Sequence, residues 1–520
     1  MELNFTGTDL CAINGTQSAA EAHYEVIVIG AGPSGITAAI TAAGSGSKVL
    51  LVDENPVSGA LMGNDTPLYF GGRMTAATQN SERMLEAIFM SMPDLEKAME
   101  AGVELLLGTT AWGVYRNGQG VASLPEQVVG LADAERSWLV GFDRIVLATG
   151  ARDLAMAFPG WNQPGVMGAA ALGMLLTRYD AFSGRRVLIL GSHDLALETA
   201  LMANAHGIEV TGLVEVREAP QGNAELVAQV EAAGIAIYCE HVITKATGGI
   251  NGVESATIAP FPGAGRGPDG PDVAALRDVA FDGTGPRPSP GNEVSEITCD
   301  TICCAIGLIP SIELVDAMHG PRALNPARGG YIPAGEVSVS AVGDCAGLSD
   351  TGFDHIAYRM EWMRALSAAC TDDTIICQCE EVTRADLIGV QPPNYLARPA
   401  PMCARSLETL LEDGPANQDQ IKRLTRSGMG VCQGRRCRDQ VAMLLAIESD
   451  TPFGTIPLAS HRAPVRPLSM KILADWNEPP EMDAAWDVWF GIPTAWVPHE
   501  DIGTPFEDEH QRMFYAGMYE

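Results

Sequence analysis

The apolar pattern first resolves into strand, turn and helix within twenty residues. Tyr24-E-V-I-V-I is a β-branched run, G-A-G-P-S-G is a glycine-rich turn, and I-T-A-A-I-T-A-A is an alanine-rich helical stretch. A second unit of the same kind starts at Arg186-V-L-I-L-G-S-H-D-L-A-L-E-T-A and continues to the strand-like Ile208-E-V-T-G-L-V-E. Later apolar runs, Thr301-I-C-C-A-I-G and Ser338-V-S-A-V-G-D, predict buried strands, and a helix is expected around His355 to Ala369. The pattern is that of an α/β protein with two nucleotide-type units. Between Pro260 and Gly291 stand seven Gly and seven Pro, which predict an exposed irregular loop. From Ile375 the sequence turns polar and helical, bracketed by two cysteine pairs. The last 46 residues hold four of the eight Trp and eleven acidic residues against one Arg, and are expected to wrap a partner subunit.

At 520 residues the chain exceeds one hydrophobic core, so two to four domains are expected. A formal charge of −32 argues against nucleic-acid partners, whose recognition rests on Lys and Arg neutralising phosphate. No run of 18 or more apolar residues predicts a membrane span, and the first twenty residues lack the basic start and apolar middle of a signal peptide. A cytoplasmic location follows as the expectation. In a reducing compartment, paired cysteines more often bind metal than form disulfides.

The first turn carries Gly30-x-Gly32-Pro33-Ser34-Gly35 between a strand and a helix. Its glycines suit a tight turn, close approach to a pyrophosphate, and helix–strand packing, with the phosphate at the helix N-terminus. Asp53, at the end of Val49-L-L-V, is placed to hydrogen-bond a ribose, and Glu54 is the neighbouring alternative. Leu147-A-T-G-A-R places Thr149 and Gly150 in a small-residue turn, and Ala341-V-G-D places Gly343 and Asp344 in another. In the second unit, Gly191-S-His193-D-L-Ala196 puts an imidazole at the position that needs close pyrophosphate approach. His193 reads as a loop residue filling that site, although Glu215 could still hold a ribose. No C-x-x-C occurs, which argues against a dithiol active site. Adjacent Cys303 and Cys304 read as packing residues.

Cys377-x-Cys379 and Cys432-x4-Cys437 supply four thiolates, enough for a [2Fe-2S] cluster or a structural zinc. Gly428, Gly430 and Gly434 allow turns that aim N–H groups at sulfur, and Arg435, Arg436 and Arg438 offset negative charge.

Glycine triplet, A-T-G turn and late G-D, in this order from Glu25 to Ala369, resemble the two-dinucleotide-domain flavoproteins. The resemblance implies FAD, with Asp344 on its ribityl chain. The stretches around the cysteines resemble the module of bacterioferritin-associated ferredoxin, which implies a [2Fe-2S] cluster on Cys377, Cys379, Cys432 and Cys437. Phe158-P-G-W-N-Q-P-G-V-M, Gly307-L-I-P-S-I-E-L and Arg462-A-P-V-R-P-L extend the likeness to the larger flavoprotein subunit of hetero-oligomeric amine and amino-acid dehydrogenases. That family includes hydrogen cyanide synthase, opine oxidase and the proline and hydroxyproline dehydrogenases. The implied partners are a smaller amine-oxidising flavoprotein subunit and a small ferredoxin-like subunit, with room for FMN at a subunit interface. Two departures stand out: 52 residues separate the cysteine pairs, and the aromatic, acidic tail after Leu468 is an addition.

The expected division is an N-terminal extension (1–24), the first segment of an FAD-binding domain (25–155), and a degenerate NAD-type nucleotide domain (156–300) with its loop at 260–291. The second segment of the FAD-binding domain (301–370), the cysteine module (371–450) and the tail (451–520) follow. Amine oxidation releases two electrons as a hydride equivalent, a [2Fe-2S] centre carries one at a time, and FAD handles both. An electron-transferring subunit of a dehydrogenase acting on a C–N bond is the leading expectation. An NAD(P)H-dependent FAD/[2Fe-2S] reductase and a nucleotide-holding scaffold are the alternatives.

Overall fold

The computed structural model describes residues 20–56, 72–116, 126–261, 295–334, 339–392, 405–474 and 503–506. Most of the N-terminal extension, nearly all of the Gly/Pro-rich loop and most of the C-terminal tail lie outside the described residues.

A seven-stranded sheet forms the first unit, in the order Glu104–Leu107, Val49–Asp53, Ala22–Ile29, Ser137–Leu147, Val128–Ala132, Thr110–Tyr115. The short strand Val339–Ala341 joins it beside Ser137–Leu147. Ala22–Ile29 runs parallel to Val49–Asp53 on one side and to Ser137–Leu147 on the other. Val26, Ile27, Val28, Leu50, Leu51 and Val52 are all buried, as expected of parallel strands covered on both faces. Register brings Ile29, Leu147 and Ala341 level. The glycine triplet, the A-T-G turn and the G-D turn therefore leave the carboxyl ends of three adjacent parallel strands, where open α/β sheets bind ligands.

The second unit is a parallel sheet in the order Ile237–Tyr238, Glu209–Val214, Arg186–Leu190, Thr301–Cys304, Val166–Gly168. A three-stranded antiparallel sheet, His241–Gly249, Gly252–Pro260 and Ser295–Thr298, is attached to it. Thr301–Cys304 corrects the expected division at residue 300. It hydrogen-bonds to Arg186–Leu190 in the second sheet instead of opening the return to the first. All four of its side chains are buried, which suits a strand with parallel neighbours on both edges and accounts for the inert packing of Cys303 and Cys304.

The helix His355–Ala369 forms where expected, and the Asp354 carboxylate caps it by accepting the N–H groups of Ile356 and Ala357 at 3.0 and 2.9 Å. It packs against the second unit and against the cysteine module. That module is a short hairpin, Ile375–Cys377 with Val382–Thr383, followed by the helices Arg384–Ile388, Leu407–Asp413, Gln418–Thr425 and Arg438–Glu448. One apolar core runs through Phe158 and Trp161, Trp362 and Leu366, and Val441 and Leu445. Gln440, fully buried in the last helix, fastens the module at two places. Its Oε1 accepts Ala157 N–H at 3.0 Å, and its Nε2 donates to Ile376 O at 2.9 Å.

Candidate functional site

A cavity of about 300 Å³ opens at the carboxyl edge of the first sheet. Gly30, Gly32, Asp53, Glu54, Thr149 and Gly150 line it, which brings together six of the residues singled out in the sequence. Gly30 has φ +107°, and a Cβ there would stand 2.2 Å from Ala148 O. At Gly35 a Cβ would stand 1.8 Å from Gly30 O. At Gly32 a Cβ would meet nothing within 4 Å. The two outer glycines thus serve the turn and the helix–strand contact, and the middle one faces open space at the start of the helix Pro33–Gly44. Pro33 takes the first helical turn, where no N–H is needed.

One carboxylate oxygen of Asp53 accepts Ala31 N–H at 2.6 Å, and the other accepts the backbone N–H and the Nδ2 of Asn55, each at 2.8 Å. The group is fixed at the strand end and lines the cavity. Glu54 forms an ion pair with Arg466, which comes from the Arg462-A-P-V-R-P-L stretch and lines the cavity too. Thr149 donates its hydroxyl to Ser311 O at 2.7 Å. Gly343 meets the start of the first helix, since a Cβ on it would lie 2.7 Å from Ser34 Oγ. Asp344 is exposed and stands outside the cavity lining. A free helix N-terminus, an open middle glycine and a fixed carboxylate fit the diphosphate and ribose of a dinucleotide.

In the second unit the helix start is packed over. His193 caps the helix Asp194–Ala205, and its ring lies 4.0 Å from that of Phe353 and 5.3 Å from that of His355. Gly222 N–H donates to Ser192 O at 2.9 Å, and Asn223 N–H to the Asp194 carboxylate at 2.6 Å, so the 221–223 loop folds over the helix start. Glu215, which by spacing could hold a ribose, is fully buried and bonded within the chain. Its carboxylate accepts Ser192 Oγ at 2.5 Å, Tyr358 Oη at 2.6 Å and Arg217 N–H at 2.9 Å. Burial pushes its pKa up, and those donors oppose the rise.

The four cysteines of the two pairs come together although about fifty residues separate them. A Cβ on Gly428 would lie 3.8 Å from Cys437 Sγ, and mutual electrostatic effects link all four thiols. Among the described residues no group of three or more His, Cys, Asp or Glu side chains is placed to hold one metal ion. The Cys432 thiol brings Cys379 down to about 7 despite its burial, with Arg436 assisting, and Cys437 lowers Cys377 likewise. Gly428, at φ +83°, points its N–H at Cys377 Sγ over 3.5 Å. Gly430 lies directly on Cys379, where a Cβ would come within 2.4 Å of the cysteine Cβ. All ten described cysteines are free thiols.

Two arginines join the cysteine module to the cavity, and their partnership was not evident in the sequence. Arg152, at the end of Leu147-A-T-G-A-R, is buried. It donates from Nε to Arg435 O at 2.9 Å and from Nη2 to Asp439 at 2.8 Å, and its Nη1 is 3.0 Å from Glu313. Arg152 and Arg435 both line the cavity.

Residues 24–369 match the family described as pyridine nucleotide-disulphide oxidoreductase, flavoproteins that bind FAD. The chain is 25% identical over 488 residues to the A subunit of opine oxidase from Agrobacterium tumefaciens (strain Ach5), covering 87% of this chain and 91% of that one. It is 24% identical over 433 residues to the alpha subunit of sarcosine oxidase from Rhizobium meliloti (strain 1021), which takes in 80% of this chain and only 38% of that longer one. The crystal structure of L-proline dehydrogenase from P. horikoshii superposes with a TM-score of 0.50 at 19% identity, over 88% of this chain and 81% of that one, a likeness of fold. No helix among the described residues is long and apolar enough to cross a membrane.

Proposed function

The chain belongs to the pyridine nucleotide-disulphide oxidoreductase family, and from there we propose that it is the electron-transferring FAD/[2Fe-2S] subunit of a hetero-oligomeric dehydrogenase. The substrate class is an amino acid, an opine or a secondary or N-methylated amine, oxidised at its C–N bond mainly in a smaller flavoprotein partner. A ferredoxin-like subunit and an FMN at the subunit interface complete the assembly, and free thiols throughout the described chain favour a cytoplasmic setting. The names of the opine and sarcosine oxidase relatives support the substrate class and the existence of partner subunits.

The observation that carries this reading is the meeting of Cys377, Cys379, Cys432 and Cys437, far apart in sequence, beside a cavity that the same loop helps to line. Four cysteine thiolates are the ligand set of a [2Fe-2S] cluster. When bound, FAD supplies exchange of electrons in pairs or singly, and the cluster supplies single-electron transfer. The chain's own residues bind and orient. Gly32 lets the backbone approach the diphosphate, with Gly30, Pro33, Ser34 and Gly35 shaping the turn. Asp53 receives the ribose, with Glu54 held beside it by Arg466. Thr149 and Gly150 border the path of the flavin half, and the family likeness assigns Gly343 and Asp344 to its ribityl end. Gly428 N–H and Arg436 stabilise negative charge on sulfur.

The packing of His193 and the 221–223 loop at the start of the helix Asp194–Ala205, where a second diphosphate would be expected, supports this reading over an NAD(P)H-dependent reductase. The test is the absorption and electron paramagnetic resonance of the chain purified with its partner. A flavin band with a reducible [2Fe-2S] signal is expected. A colourless chain holding zinc refutes the proposal.

A further inference from the structure

We propose that Arg435 of the cysteine loop is a binding residue for the dinucleotide, and that through it the cysteine site responds to whether the cavity is filled. The inference rests on the FAD/[2Fe-2S] reading and goes beyond it. Nothing in the dinucleotide fold requires a wall from residue 435, yet Arg435 lines the cavity, 283 positions from its partner Arg152.

Charge at the cavity runs against the charge of the chain. Arg152, Arg178, Arg435 and Arg466 line it against Asp53, Glu54 and Glu313, an excess of one positive charge in a protein of net charge −32. Such a local reversal attracts an anionic ligand, and arginine matches phosphate oxygens in a fork. Arg435 is buried and held from both ends. Its backbone N–H and its Nε donate to Cys432 O at 3.1 and 3.2 Å, and its own carbonyl accepts Arg152 Nε at 2.9 Å. The residue lies three positions after Cys432 and two before Cys437. A ligand that draws on the guanidinium therefore pulls on the backbone that places two of the four sulfurs. The coupling is reciprocal, since whatever fixes the sulfurs also fixes Arg435 for the ligand.

The test uses the complex as isolated. FAD affinity is measured for the wild type, Arg435→Gln and Arg435→Lys, and the visible circular dichroism of the cluster is recorded before and after FAD is stripped. Loss of a charge-assisted contact predicts FAD binding about 10- to 100-fold weaker in Arg435→Gln, with much of the loss recovered by Lys. In the wild type, stripping FAD alters the cluster spectrum, and removing the cluster with a chelator weakens FAD by a similar factor, which needs no variant and no intact mutant fold. Wild-type FAD affinity in Arg435→Gln, or a cluster spectrum indifferent to FAD, overturns the inference. A wild-type chain with no iron–sulfur signal instead refutes the functional reading, and the FAD arm then decides the role of Arg435 alone.

Discussion

Tyr358 donates its phenolic hydrogen to Glu215 across 2.6 Å, inside a pocket where the same carboxylate oxygen also takes the Ser192 hydroxyl at 2.5 Å. The acid that ends the second strand of a nicotinamide-type fold is thereby used up by its own chain. NADH should leave the bound flavin oxidised on the timescale of turnover, read by absorbance at the flavin band after anaerobic mixing. Bleaching by a stoichiometric amount of NADH would show the second unit to be open. Tyr358→Phe leaves a buried acceptor short of one donor and should cost about 1–3 kcal/mol of stability, measured by denaturant unfolding.

Two glycines of one turn should respond differently to alanine. At Gly30 the methyl collides with Ala148 O at 2.2 Å and the backbone has φ +107°, so Gly30→Ala should lose more than about 2 kcal/mol and lower the melting temperature. At Gly32 the methyl enters open space, so Gly32→Ala should keep the wild-type melting temperature of the stripped chain and lose FAD. Equal melting temperatures for the two stripped variants would contradict the geometry.

Much of this was legible in the sequence because it is local. The triplet from Gly30 to Gly35, the turn at Thr149 and Gly150, and the cysteine pairs each signal within ten residues, and the helix His355–Ala369 kept its expected position. What escaped was long-range. The short run Thr301–Cys304 fits either sheet equally well, and only the hydrogen bonding to Arg186–Leu190 assigns it to the second. Arg152 and Arg435 look like ordinary cations until folding places one against the other's carbonyl. Glu215 occupies a ribose-binding position by spacing, but its fate depends on Tyr358, 143 residues away.

Metal content separates two chemistries that four thiolates allow. About two irons and two acid-labile sulfides per chain are expected, and Cys379→Ser or Cys432→Ser should abolish the cluster signal, since each removes one of the four thiolates. One zinc per chain in place of the iron, lost on either substitution, would exclude the cluster.

Burial pushes His355 down to about 4, with Arg359 and His193 adding to the fall and Asp354 opposing it. The folded chain therefore keeps this imidazole neutral, whereas the unfolded chain protonates it below the ordinary value of 6.5. Its contribution to stability is complete above pH 6.5 and is lost as pH falls from 6.5 towards 4. His355→Phe should flatten that stretch of the stability profile, so that the variant gains on the wild type between pH 7 and pH 4.5 in urea unfolding. Parallel profiles would show that His355 does not titrate across the transition.

Gln440 holds Ala157 with one end of its amide and Ile376 with the other, in the dry core between the second unit and the cysteine hairpin. A module sewn in at that depth is no swinging arm. To leave its seat it would have to strip both ends of a buried amide and expose the Arg152–Asp439 pair to solvent, a cost of several kcal/mol. If the cysteines hold the proposed cluster, it sits at a set distance from the cavity, and transfer between the two would proceed by tunnelling through packed protein. Its rate should be indifferent to glycerol or sucrose, which slow a domain that must travel.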